Sequence, residues 1–273
     1  MSDLPLAGLT VVVTRPSDQA EPLARPLEQQ GATVLRVPTI EIVPMAIDDE
    51  WRRAAAALTT YDLIVFTSAN GVRWFVDRLP EAGIPAGIDD LASIELVAIG
   101  PATAAALNVR GLNAAVVPDE FVAEALVEVL AAGGRELEGA RVLIPSAREA
   151  RPTLPEGLRE HGAAVEVLAV YETLPATELA VPRGEIESAD YVTFTSGSTV
   201  NAFVGLMDMA PADLTRRLAA VRLCSIGPVT SAALERHGLP VALEAEKYSS
   251  HGLVAAIVAD ARARRSGRAE SSS

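Results

Sequence analysis

The stretch Asp62-Leu-Ile-Val-Phe-Thr-Ser68 returns later in the chain as Asp190-Tyr-Val-Thr-Phe-Thr-Ser196. The likeness extends outward on both sides. Upstream, residues 8–44 align without a gap on residues 139–175, pairing Gly31-Ala32 with Gly162-Ala163 and Pro44 with Pro175. Downstream, Ile99-Gly-Pro-Ala-Thr-Ala-Ala-Ala-Leu107 matches Ile226-Gly-Pro-Val-Thr-Ser-Ala-Ala-Leu234, and Phe121 falls opposite Tyr248. Solenoid units repeat every 20–50 residues or so. This period is far longer, so the repeat is a domain-sized duplication, which fits a 273-residue chain.

Each copy alternates short β-branched runs with Ala/Leu-rich stretches of helical period. Strands are expected at 9–14, 33–37, 62–67, 95–99 and 114–117, and again at 141–145, 164–168, 190–195, 222–226 and 240–244. Helices are expected near 18–30, 47–59, 69–79, 101–110, 121–132, 150–161, 197–209, 228–237 and 249–265. Gly31, Gly111, Gly162 and Gly238 each follow a helical stretch, where a left-handed residue is wanted. Pro101 and Pro228 stand where helices begin, and proline is tolerated at N1. This alternation predicts α/β architecture: two similar doubly wound parallel sheets of about five strands each, flavodoxin-like and covered on both faces. Pro38-Thr-Ile-Glu-Ile-Val-Pro44 and Ala169-Val-Tyr-Glu-Thr-Leu-Pro175 break the rhythm at equivalent places and read as paired crossings between domains. If both cross, the first βαβ unit joins the C-terminal half; spacing alone leaves a head-to-tail pair equally open.

Composition narrows the function. Hydrophobic residues are 49% of the chain but aromatics only 4%, so the core must be built from Ala, Val, Leu and Ile. A net charge of −13 argues against nucleic acid, whose binding needs a basic stripe to neutralise phosphates. The one basic cluster, Arg262, Arg264, Arg265 and Arg268, precedes Ser271-Ser272-Ser273 and reads as a frayed, solvated terminus. The single Cys224 lies in an apolar run and reads as a buried, inert thiol in a reducing compartment. MSDLPLAGLT lacks the pattern of a signal peptide, and no apolar run nears the roughly 20 residues a membrane span needs. The expectation is therefore a cytoplasmic protein without membrane association.

Four strand-to-helix turns share a hydroxyl-rich character: Thr67-Ser68-Ala69-Asn70-Gly71, Thr195-Ser196-Gly197-Ser198-Thr199, Gly100-Pro101-Ala102-Thr103 and Gly227-Pro228-Val229-Thr230. Open parallel sheets bind ligands beyond the carboxyl ends of their strands, where N–H groups and helix dipoles favour anions. Any one of these residues could be only an N-cap. Four matched turns could line one cleft and suit a large polyanion. The nucleotide-binding glycine patterns are absent, with Thr14-Arg15-Pro16 after the first strand. His161 and His237 precede helix-ending glycines and read as helix C-terminal residues, His251 begins the last helix, and the three form no metal set with Cys224. Tyr171 stands in the second crossing where its counterpart is Ile40. It either packs between domains or offers a phenol to a leaving group.

These residues resemble uroporphyrinogen-III synthases from Val11 to about Ala259. The resemblance rests on Val-Thr-Arg15-Pro, Phe66-Thr-Ser-Ala-Asn-Gly-Val72, Ile99-Gly-Pro-Ala-Thr103, Val170-Tyr171-Glu-Thr173, Phe194-Thr-Ser196 and Ile226-Gly-Pro-Val-Thr230. It implies two α/β domains on a two-segment hinge: residues 1–38 plus 176–273, and an inserted 42–170, with hinges near 38–44 and 169–175. It implies closure of linear hydroxymethylbilane to uroporphyrinogen III in the interdomain cleft, with inversion of ring D, loss of water and no metal or organic cofactor. Carried over, Tyr171 is the residue assisting departure of the hydroxyl. Thr103, Ser196 and Thr230 line the cleft, with Ser68, Asn70, Arg15, Ser198 and Arg151 as further substrate-binding candidates. Ser146-Ala-Arg-Glu-Ala-Arg151 departs from the family's glycine-rich turn and leaves Arg148 and Arg151 without a settled role. Monomer is the default expectation, with transient contact to hydroxymethylbilane synthase left open. A non-catalytic tetrapyrrole sensor and a two-domain small-molecule binding protein are the competing readings.

Overall fold

A computed structural model describes residues 4–83, 91, 93–132 and 136–270. The first copy contributes β1 (Thr10–Val13), α1 (Glu21–Gln29), β2 (Thr33–Arg36), β3 (Ile40–Pro44), α2 (Asp49–Ala56), β4 (Leu63–Phe66), α3 (Ala69–Val76), β5 (Glu95–Ala98), α4 (Pro101–Asn108) and α5 (Ala123–Ala132). The second contributes β6 (Arg141–Ala147), α6 (Thr153–Glu160), β7 (Ala164–Pro175), α7 (Arg183–Glu187), β8 (Tyr191–Phe194), α8 (Gly197–Met207), α9 (Pro211–Arg217), β9 (Arg222–Ser225), α10 (Pro228–Arg236), β10 (Leu243–Glu244) and α11 (Ser250–Glu270).

The strands form two five-stranded sheets, ordered β10-β9-β8-β1-β2 and β3-β7-β6-β4-β5. The copies have therefore exchanged their first βαβ units: β1 and β2 pair into the second copy's sheet, and β6 and β7 into the first's. The compact units are Met1–Glu41 with Leu174–Ser273, and Ile42–Thr173. Pairing is parallel except at the crossing segments. There, Ala176 N donates to Thr39 O and Met45 N to Val170 O, so one chain rises in number as the other falls and the two run antiparallel.

Period-two alternation places a core on each face of each sheet. On β4, Leu63 and Val65 join one cluster with Val97 and Ile144, while Ile64 and Phe66 join the other with Trp51, Phe75 and Leu96. In the first unit Val11, Val13 and Tyr191 face one way, and Val12, Val192 and Phe194 the other. The few aromatics are concentrated in these cores: Phe194 meets Phe203 edge-on at 5.2 Å and Trp51 meets Phe75 at 5.5 Å. Gly31 and Gly162, duplicates after α1 and α6, have φ of 95° and 85°, the left-handed conformation their helix ends require.

A duplicated aspartate locks the central strand pair of each unit. Asp190 N donates to Thr10 O at 2.9 Å, and Thr10 N returns a bond to Asp190 Oδ2 at 2.8 Å. Asp62 and Arg141 make the same reciprocal pair at 2.9 and 2.8 Å. These bonds join the strand of one copy to the strand of the other at the seam of the exchange. Asp190→Ala leaves the Thr10 N–H without its acceptor and is expected to cost about 1–3 kcal/mol. The urea unfolding midpoint checks this; an unchanged midpoint would mean that water replaces the carboxylate without loss.

Three expectations need correction. Residues 114–117 do not form a strand: one parallel bridge, Val97 to Val116, is all they contribute. Ala114 and Ala115 have little strand preference and Pro118 has no N–H to extend the ladder. The fifth strand of that sheet is β3, at the opposite edge. Second, 164–168 and the following crossing are one strand, β7, with a register shift opposite Ser146 and Ala147. Third, the arginine cluster is not frayed. α11 continues to Glu270, and Arg265 donates to the carbonyls of Leu4 at 3.2 Å and Ala7 at 2.6 Å, fastening the helix to the N-terminal segment. The Arg268 side chain and Ser271–Ser273 lie outside the described residues.

The remaining isolated residues are structural. His161 and His237 cap helix C-termini, with ring contacts to Gly157 O and Asn201 Oδ1. Cys224 is buried, and burial pushes its thiol well above the ordinary range, keeping it protonated. Among the described residues no helix is long and apolar enough to cross a membrane.

Candidate active site

Matched turns at the carboxyl ends of the central strands carry most of the candidate residues. Ser68 follows β4 and caps α3: its Oγ accepts from Gly71 N at 2.9 Å. Ser196 follows β8 and caps α8 in the same way, accepting from Thr199 N at 3.2 Å. Their φ values, −160° and −163°, are the extended geometry of an N-cap. The next strands end in Gly100 and Gly227, with Pro101 and Pro228 at N1 of α4 and α10. These two turns have no side-chain cap. Thr103 and Thr230 lie in the first turn, both buried, their N–H groups bonded to Gly100 O and Gly227 O. Each unit thus presents two helix N-termini on one rim, an environment that favours carboxylates.

The duplication breaks at Tyr171. In the unit holding β4, the phenol of Tyr171 on β7 lies 3.1 Å from Ser68 Oγ. Tyr171 is only 8% exposed. Burial raises its pKa above the ordinary phenol value, and the Ser68 hydrogen bond works in the opposite direction. In the other unit Ser196 instead bonds Ser198 Oγ at 2.9 Å, and Thr199 Oγ1 donates to Ser196 O at 2.7 Å. The counterpart of Tyr171 there, Ile40, has no hydroxyl to offer.

The strand ladder is irregular beside Tyr171, at the start of residues 146–151. The register shift opens the ladder, and Arg148 N donates to Tyr171 O at 2.8 Å. Its guanidinium turns outward to Glu172, 3.0 Å away. Arg148 therefore holds the tyrosine's backbone. Arg151 is exposed just ahead of α6, and Asn70 is half-buried in the first turn of α3. Ser198 is exposed at the start of α8.

Arg15 stands beyond the end of β1. Its Nη1 donates to Ser250 Oγ at 2.9 Å, while Nε is buried with no hydrogen-bond partner. Desolvation lowers its pKa, and Asp18 counters part of that. A guanidinium remains charged under such shifts. A half-buried guanidinium is a cation suited to pairing with a carboxylate.

Sequence reasoning missed the hydroxyls that stiffen this rim. Thr14 Oγ1 donates to Thr193 O at 2.7 Å, Thr193 Oγ1 to Val12 O at 2.9 Å, and Thr39 Oγ1 to Thr199 O at 3.1 Å. Threonine inside otherwise apolar strands was the available signal. It also missed Ser225, Ser231 and Glu244, which are linked in a chain behind α10. Among the described residues no group of three His, Cys, Asp or Glu side chains is placed to hold a metal ion.

Two α/β units, each built from strands of both copies and each with hydroxyl-rich turns at its strand carboxyl ends, define a class of duplicated α/β proteins with exchanged βαβ units. Comparison with known proteins specifies it. Residues 21–255 match the family model described as uroporphyrinogen-III synthase HemD. The chain is 31% identical to a uroporphyrinogen-III synthase of Synechococcus elongatus over 94% of its own length and 97% of that protein's. It is 31% identical to a second from Chlorobaculum parvum, over 91% and 97% of the two chains. Its fold is similar to the crystal structure of a mutant uroporphyrinogen III synthase from Thermus thermophilus, with a TM-score of 0.64, 24% identity, and 94% and 100% of the chains covered. A Helicobacter pylori structure gives 0.58 at 20% identity, covering 90% and 96%. The chain belongs to the uroporphyrinogen-III synthase family, a family of cyclising lyases.

Proposed function

We propose that this protein closes linear hydroxymethylbilane into uroporphyrinogen III, inverting ring D and releasing water, as a step of porphyrin biosynthesis. Membership of the family over most of the chain supports the reaction. The observation that carries the residue assignment is the Ser68–Tyr171 contact. Ser68 Oγ already accepts the Gly71 N–H, and its own proton is available to donate to the Tyr171 oxygen. The phenol proton is then free for the substrate. Burial keeps that phenol protonated at neutral pH, in the state an acid needs.

In this reading Tyr171 gives its proton to the departing hydroxyl; the C–O bond breaks and water leaves. The azafulvenium cation so formed is the electrophile, and the substituted carbon of ring D attacks it. A spiro intermediate, fragmentation and reclosure follow, and the proton lost as the last pyrrole regains aromaticity returns to the Tyr171 phenolate. The remaining task is positioning. The candidates for binding carboxylates are Thr103, Ser68, Asn70 and Arg151 in one unit and Ser196, Ser198, Thr230 and Arg15 in the other. A net charge of −13 is compatible with this, because local N–H groups and Arg15 act within the screening length of about 8 Å at physiological salt. The proposal takes the protein as a cytoplasmic monomer. Incubation with freshly made hydroxymethylbilane, followed by oxidation and separation of the porphyrin isomers, tests the reaction.

A further inference from the structure

Aromatic residues make up only 4% of this chain, and nearly all of them are in the cores; two exceptions stand at duplicated positions. Phe121 is 52% exposed and Tyr248 is 61% exposed. Each lies against the strand-end glycine of its own unit. A Cβ on Gly100 would come within 3.2 Å of the Phe121 ring, and one on Gly227 within 3.0 Å of the Tyr248 ring. Neither glycine needs a left-handed backbone, with φ of −172° and 169°. A Cβ at either place would press on the ring that rests on the turn. One side of each ring therefore meets backbone, and much of the remainder meets solvent, beside the turn that carries Thr103 or Thr230.

We propose that Phe121 and Tyr248 are positioning residues, each offering a packing surface for a pyrrole ring at the strand ends of its own unit. This rests on the function proposed above. A pyrrole offers flat apolar faces and, in this substrate, carboxylate arms. An exposed aromatic ring beside a helix N-terminus matches both parts of that group: ring packs on ring, and the arms lie in the positive field of the helix end. The duplication supplies two such places, one per unit, at the strand ends where open sheets bind ligands. Holding rings at fixed places is what a reaction limited by the folding of its own substrate needs. A purely structural staple would have no reason to leave the greater part of each ring in water.

Steady-state kinetics and isomer analysis of Phe121→Ala, Tyr248→Ala and the double variant test this, beside Phe121→Tyr and Tyr248→Phe. Loss of one ring is expected to lower kcat/KM roughly three- to tenfold, mainly through KM. Isomer I from spontaneous closure should rise as capture weakens. The aromatic replacements should restore both quantities, and thermal midpoints should stay at the wild-type value. Gly227→Ala, which displaces the Tyr248 ring without removing it, should reproduce the Tyr248→Ala kinetics. Wild-type kcat/KM and isomer ratio in the double alanine variant would overturn the inference. So would losses that follow the thermal midpoint, because the rings would then only staple their turns. Wild-type protein that yields no isomer III would instead remove the reaction itself, a separate outcome.

Discussion

Tyr171→Phe is expected to lower kcat about ten- to a hundredfold while leaving the fold intact. The ring is buried on β7, so phenylalanine keeps the packing and removes only the hydroxyl. Ser68 keeps its bond from Gly71 N, so no helix cap is lost. The expected loss lies at or below the lower end of what acid catalysis contributes, because the proposed reaction is mainly one of positioning. A pH profile separates the two roles. Burial raises the phenol's pKa, so the proton is retained through neutral pH and lost only above the ordinary phenol value of about 10. The wild-type profile should therefore fall only on that far alkaline limb, and the limb should disappear in the phenylalanine variant. An unchanged kcat with isomer III as product would remove Tyr171 from the chemistry.

Gly71→Ala should damage both stability and turnover. A Cβ there would stand 2.8 Å from Pro145 O and 3.4 Å from Ser68 Oγ. Pro145 lies within β6 and is held in register with Leu168 of β7, so its carbonyl has little room to yield. Helix α3 must move away instead, carrying Ser68 from Tyr171. Alanine gains about 1 kcal/mol of helix propensity over glycine. Overpacking against fixed backbone costs about 1–3 kcal/mol, and clash with a carbonyl lies at the upper end, so the loss prevails. Gly197→Ala, in the first turn of α8, is the control. Its Cβ would meet only Ala233 Cβ at 3.5 Å, an ordinary contact. Calorimetry should show a lowered midpoint for Gly71→Ala and an equal or raised one for Gly197→Ala. Turnover of Gly71→Ala should fall toward that of Tyr171→Phe; equal midpoints and turnover in both glycine variants would contradict this geometry.

The repeat made most of the architecture legible. Two matched sets of strands and helices can be read outward from Asp62–Ser68 and Asp190–Ser196, because buried parallel strands are β-branched runs and helix ends carry glycine and proline. What stayed illegible depended on long-range pairing. Residues 114–117 have a strand-like pair of valines but lack the backbone donor to continue, whereas β3 joins a sheet only because β7 runs beside it. Helices α7 and α9, of 5 and 7 residues, are too short to show a period. The exchange of βαβ units leaves only the two proline-ended crossings as its trace.

At the site, the hydroxyl-rich turns and Tyr171 could be picked out by residue type and by broken symmetry with Ile40. The contact of Tyr171 with Ser68 could not, because the two are 103 residues apart and meet only through β6. Nor could the role of Arg148, whose backbone bond depends on a bulge that no local pattern announces. Arg265 escapes a sequence reading for a related reason: basic residues near a terminus resemble a solvated tail until the carbonyls of Leu4 and Ala7 are seen beneath them.

The most direct test of the central claim is the isomer composition formed from freshly prepared hydroxymethylbilane, measured after oxidation to porphyrins, with heat-denatured protein as the blank. Uroporphyrin III in excess of the blank, formed at a rate proportional to protein concentration, is the predicted result. Isomer I alone, at the blank's rate, would contradict it and leave a tetrapyrrole-binding protein without the ring-inverting step.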